Sequence, residues 1–122
     1  MARVLIVDDE PHVIALYGAI LEAAGHTPEL SLAAEEAIVR LVHHTYDAVI
    51  TGWRLDGGTG AAVITAAKAR GFPVIVVSSY VAEAFQEGSS TADLYLEKPI
   101  TPEELITAVN DFARKTYRSA AG

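Results

Sequence analysis

Four side chains in this sequence have the means for phosphate and divalent-cation chemistry: the adjacent carboxylates Asp8 and Asp9, the Ser78 hydroxyl and the Lys98 ammonium. Each stands just after a short apolar run, and Gly52 follows another such run. Mg²⁺ is held by a few carboxylates together with water and substrate oxygens, while a hydroxyl and an ammonium can both donate to a phosphoryl oxygen. If the runs are strands of one parallel sheet, these residues gather at one edge and suit a phosphate site.

Plainer readings stand beside these. Asp8 and Asp9 precede Pro11, where acidic side chains cap a helix and favour its dipole. Lys98 before Pro99 also suits a surface turn, and Ser78 also suits a strand-end hydroxyl bonded to backbone. His43 and His44 are adjacent, so they cannot share a helix face; a solvated helix end is expected rather than a metal or phosphohistidine site. Trp53 suits packing over the site, a partner anchor or ordinary core. Asp56 is expected to form a turn.

Two periodicities alternate along the chain, and it carries no internal repeat. Arg3–Val7 reads as a strand buried on both faces, and Pro11–Ala24 as a helix with Val13, Leu16, Tyr17, Ile20, Leu21 and Ala24 on its inner side, closed by Gly25. A weak strand at Thr27–Leu30 precedes a helix with the stripe Ala34, Ala37, Ile38, Leu41 and Val42. Asp47–Thr51 is the third strand, Leu55–Gly60 a glycine-dense loop, and an alanine-rich helix runs to about Arg70. After the turn at Gly71 and Pro73, Val74–Val77 is the fourth strand. Val81–Gln86 allows a short helix before the breakers Gly88, Ser89 and Ser90. Leu94–Leu96 is the fifth strand. Thr101 and Glu104 have the spacing of a capping box with Pro102 at the first helical position, and Leu105, Ile106, Val109, Phe112 and Ala113 line the last helix. Alternating strands and helices demand right-handed crossovers and a parallel sheet covered on both faces.

The 122 residues suffice for one domain, expected to have its core at 2–117 and a tail at 118–122. A formal charge of −7 argues against a nucleic-acid surface; Arg70, Arg114, Lys115 and Arg118 do not reverse it. No apolar run approaches the roughly 20 residues of a membrane span, and no signal peptide is visible. The absence of cysteine removes disulfides and thiolate chemistry. The cytoplasm is the expected compartment.

The segments Val4-Leu5-Ile6-Val7-Asp8-Asp9-Glu10-Pro11, Tyr46-Asp47-Ala48-Val49-Ile50, Gly57 to Gly60, Pro73-Val74-Ile75-Val76-Val77-Ser78 and Tyr95-Leu96-Glu97-Lys98-Pro99 resemble the receiver domain of two-component response regulators. The resemblance implies a flavodoxin-like α/β fold with five parallel strands in the order 2-1-3-4-5 and five helices on both faces. It implies Mg²⁺ held by Asp9 directly, by Asp8 through water and by the backbone carbonyl of Arg54. Ser78 and Lys98 would meet a phosphoryl group, and Tyr95 would be the rotating aromatic that reports the switch. The family's phosphoacceptor aspartate corresponds to Gly52, which has no nucleophile. The charges of Asp8, Asp9 and Lys98 sum to −1, so Mg²⁺ binding is expected to be weak or lost.

Three functions follow as expectations. The leading one is a phosphorylation-independent, non-enzymatic receiver acting through protein contacts. Its partners would be a histidine kinase, a phosphotransfer protein or another regulator, or a second copy docked through the fourth helix, fifth strand and fifth helix. A conventional phosphoacceptor is the alternative, with Gly52 a variant or engineered replacement or Asp56 a substitute acceptor. A pocket for a small anion or metabolite, with Lys98 and Ser78 as donors, is the third.

Overall fold

The structure, a computed structural model, describes residues 1–87 and 91–121, with side chains as far as Ala113. The predicted breakers Gly88, Ser89 and Ser90, the side chains of Arg114, Lys115 and Arg118, and Gly122 at the end of the tail lie outside the described residues.

Strands β1 (Arg3–Val7), β2 (Thr27–Ser31), β3 (Ala48–Thr51), β6 (Val74–Ser78) and β7 (Leu94–Glu97) form a parallel sheet in the order β2-β1-β3-β6-β7. Counted among these five strands alone, that is the expected order 2-1-3-4-5. The short strands β4 (Arg54–Leu55) and β5 (Gly58–Thr59) pair antiparallel in the stretch expected to be an open loop. Helices α1 (Pro11–Ala23), α2 (Ala34–His43), α3 (Ala61–Ala69), α4 (Val81–Glu87) and α5 (Pro102–Ala121) complete the architecture.

Side chains alternate across each strand, and the sheet therefore makes two cores. Leu5, Val7, Val49, Val74 and Val76 face residues of α2, α3 and α4, whereas Val4, Ile6, Ile50, Ile75 and Val77 face α1 and α5. Burial on both faces explains why β1 and β6 are continuous apolar runs. Strand order reverses between β1 and β3, so the crevice for a ligand opens past their carboxyl ends.

The predicted capping box closes α5: Thr101 N–H donates to Glu104 Oε1 at 3.0 Å, and Glu104 N–H to Thr101 Oγ1 at 3.1 Å. Three stripe residues depart from expectation. Leu16 is 57% exposed and Val42 62% exposed. Each is adjacent in sequence to a buried residue, Tyr17 or Leu41, and so lies about 100° round its helix from the packed seam. Ala24 also ends up exposed, as the residue that caps α1.

At the opposite end of the sheet Glu29 gathers the Arg3 guanidinium (2.7 Å), the Tyr46 hydroxyl (2.8 Å) and Arg40 (3.4 Å). Burial first, and then the hydrogen bond to Glu29, push the Tyr46 phenol up to about 12. Because folding favours the protonated phenol, its contribution is full below its ordinary value of 10.0 and is lost as pH rises towards about 12. We expect the urea midpoint to fall across this window and the fall to shrink in Tyr46→Phe. At pH 8 the same substitution should cost about 1–2 kcal/mol for the lost bond to a charged acceptor, measured by urea denaturation.

Candidate functional site

Asp8 leaves the end of β1 buried and fully engaged. Its N–H donates to Ser31 O at 3.2 Å, Oδ1 accepts from Glu10 N–H at 2.9 Å, and Oδ2 meets Lys98 Nζ at 3.1 Å. Helix α1 begins after Glu10, with Pro11 in its first turn and no side-chain cap. Asp8 and Asp9 therefore do not serve as its caps. Lys98 follows β7, its N–H donates to Ser78 O at 3.1 Å, and the Lys98–Pro99 peptide is cis. Its ammonium also lies 3.8 Å from Glu10 Oε1.

The third acid, Glu10, was not singled out in the sequence although it directly follows the pair. Asp8, Asp9 and Glu10 each offer a carboxylate oxygen, and these oxygens lie within 4.8 Å of one another. Hard oxygen donors so spaced fit the needs of Mg²⁺. With Lys98 the group sums to −2, three carboxylates against one ammonium. Asp8 has to serve both the ammonium and any cation. Burial disfavours the Lys98 charge, yet Asp8, then Tyr17 and Glu10, outweigh that effect and hold the ammonium above its ordinary value.

Gly52 lies one residue past β3, with its N–H donating to Val7 O at 2.9 Å. A Cβ placed on it would stand 3.5 Å from Asp8 Oδ2 and 3.4 Å from Leu55 Cδ2, which are ordinary contacts. A Cβ at this position would therefore stand beside the Asp8 carboxylate without a clash. Gly60 is different. Its N–H donates to Trp53 O at 2.6 Å, and a Cβ on it would come within 2.3 Å of Gly52 O, so the backbone approach requires glycine.

The Ser78 hydroxyl is buried and accepts from Tyr80 N–H at 2.9 Å, which is the strand-end role. Tyr95 packs edge-on against Phe85, with ring centroids 5.3 Å apart, and its hydroxyl accepts from Ala92 N–H at 3.2 Å. Arg54 belongs to β4 and sends its guanidinium to Glu83 of α4. Trp53 is buried at 1% exposure, and its indole N–H also reaches Glu83. Asp56 is exposed in the turn between β4 and β5, and His43 and His44 are exposed at the end of α2.

Residues 4–110 match the family of the response regulator receiver domain. A gliding motility regulatory protein of Myxococcus xanthus is 41% identical over 103 residues, covering 79% of this chain and 13% of that protein. The chain spans only part of the curated relatives it matches; it covers 52% of the Escherichia coli phosphate regulon transcriptional regulatory protein PhoB. Among solved structures, the receiver domain of the Francisella response regulator 1452 has a TM-score of 0.85 at 26% identity, covering 95% of this chain and 99% of that one. The Thermotoga maritima response regulator TrrA, solved in complex with Mg²⁺–BeF, has a TM-score of 0.84 at 27% identity, covering 92% of this chain and 99% of that one.

The Asp8–Lys98 contact predicts a specific loss. Lys98→Met leaves a carboxylate with 6% side-chain exposure and no counter-charge, and should cost about 2–4 kcal/mol at neutral pH. The raised lysine stabilises the fold below its ordinary value of 10.5, and that contribution is lost as pH climbs beyond it. Urea denaturation at pH 7 and pH 11 should therefore show the gap between wild type and variant narrowing at the higher pH.

Proposed function

This chain belongs to the response regulator receiver domain family, and from that membership we propose that it is a two-component signalling module that works without accepting a phosphoryl group. Gly52 carries the proposal. It occupies the place at the end of β3 from which a side chain would face Asp8, and it has no oxygen with which to attack phosphorus. The surrounding parts are kept. Asp8, Asp9 and Lys98 converge there, and Ser78 closes the neighbouring strand.

In this proposal Asp9, Asp8 by way of water, and the Arg54 carbonyl would hold Mg²⁺. Glu10 joins the acids that the sequence pointed to. Bound Mg²⁺ would neutralise charge on the acids and on an incoming phosphoryl oxygen. The chain's own groups would do the rest: Lys98 and Ser78 donate to anion oxygens, and Tyr95 reports their state. Without a fourth carboxylate, and with Lys98 already on Asp8, cation binding is weak. Output passes through protein contacts involving α4, β7 and α5, with a kinase, a phosphotransfer protein, another regulator or a second copy.

One observation favours a second reading. A Cβ at position 52 would meet only ordinary contacts beside Asp8, so an aspartate there would bring a nucleophilic carboxylate to the acids and allow conventional acceptor chemistry. Incubation with Mg²⁺ and acetyl phosphate followed by intact-protein mass spectrometry separates the two. We expect no added phosphoryl group on the wild type and clear labelling of Gly52→Asp. The substituted protein should also bind Mg²⁺ roughly tenfold more tightly by calorimetry, since it adds a negative ligand at close range. Without metal it should be less stable, because the new carboxylate faces Asp8. Stoichiometric labelling of the wild type would overturn the proposal.

A further inference from the structure

The two residues after Gly52 are tied by their side chains to α4. Trp53 Nε1–H donates to Glu83 Oε1 at 3.2 Å, and Arg54 meets the same carboxylate through Nη2 at 2.7 Å and Nε at 3.4 Å. The guanidinium carbon of Arg54 also stands 3.7 Å from the centre of the Tyr80 ring. Tyr80 in turn donates its N–H to Ser78 Oγ. The stretch from Gly52 to Arg54, the loop after β6 and α4 thus form one closed circuit. Its inner end is fixed, because Trp53 is buried in the core and its carbonyl holds Gly60.

Helix α4 needs such a tie. It has seven residues, and Ala84 is the only one of them that is fully buried. A helix this short has little stability of its own, and its apolar packing, Ala84 with the edge-on contact of the half-exposed Phe85 on Tyr95, is small. Glu83 and Arg54 stabilise each other's charged forms: the hydrogen bond from Arg54 holds the carboxyl below its ordinary range, and the same bond holds the guanidinium above its own.

We propose that this strap of Trp53, Arg54 and Glu83 sets the position of α4, so that the helix is held in one arrangement whether or not the acidic site is occupied. A receiver without an acceptor at residue 52 would then present a preset α4. The output role of α4 rests on the proposed function; the strap itself does not.

Hydrogen exchange read by mass spectrometry on the full chain tests it, comparing wild type with Glu83→Ala and Arg54→Ala. Glu83→Ala removes the ion pair and the indole bond together, so amides in residues 80–87 should exchange about tenfold faster. Arg54→Ala keeps the indole bond and should give about threefold. Exchange in α1 and α3 should stay unchanged. Alanine is a better helix former than glutamate, so propensity alone predicts the opposite sign in α4. Saturating Mg²⁺ should alter wild-type exchange in residues 80–87 less than about twofold, the margin left when the strap and not the site fixes the helix. Unchanged exchange in Glu83→Ala, equal acceleration throughout the chain, or a large Mg²⁺ effect with the strap intact would each overturn the proposal. Phosphoryl labelling of the wild type would instead defeat the proposed function and leave this comparison standing.

Discussion

A carboxylate and an ammonium 90 residues apart in sequence meet at 3.1 Å on the sheet's carboxyl edge. Asp8 and Lys98 can do so only if β1 and β7 run parallel with four crossovers correctly placed between them, and their contact closes the site from both sides. Partial burial strengthens the attraction by lowering the local dielectric, and it also makes either partner costly to leave alone. Asp8 relieves part of that cost through Oδ1, which accepts from Glu10 N–H, while its own N–H donates to Ser31 O. The residue is as much a joint between β1, β2 and α1 as it is a ligand.

That double role explains why an acidic pocket persists beside a glycine. Glycine at residue 52 offers no nucleophile, and the contact between Asp8 and Lys98 serves folding whatever stands beside it. Asp9 and Glu10 are exposed, and in a purely structural account they would have little to do. Their carboxylates nevertheless share a 4.8 Å neighbourhood with Asp8. A cation bound here would be met by this exposed pair, while the buried Asp8 carries the architecture.

Much of this was legible in the sequence because strong local rules govern it. β1 and β6 are buried on both faces and so appear as unbroken runs, Thr101 and Glu104 declare a helix start, and acids or a lysine at strand ends land at one edge once the sheet is wound. Leu16 and Val42 were misplaced because an apolar stripe read from spacing is wider than the seam a sheet covers. The β4–β5 hairpin was hidden by its two-residue strands, too short for any alternation. The strap was invisible for another reason: Trp53 and Glu83 are 30 residues apart, and a glutamate on a short helix looks the same whether it faces water or a partner.

Helix α4 is held by contacts of a different kind. Around a sheet whose central strands β1, β3 and β6 are almost wholly buried, most elements are positioned by apolar area, which is non-directional and holds them over a broad face. With Ala84 as its fully buried contact, α4 has little such area, and directional bonds must fix it. Glu83 receives them from the indole and the guanidinium of consecutive residues, whose backbone is pinned by the close approach of Gly60 to Gly52. The segment after Gly52 is thereby joined through two side chains to a helix with a single fully buried residue.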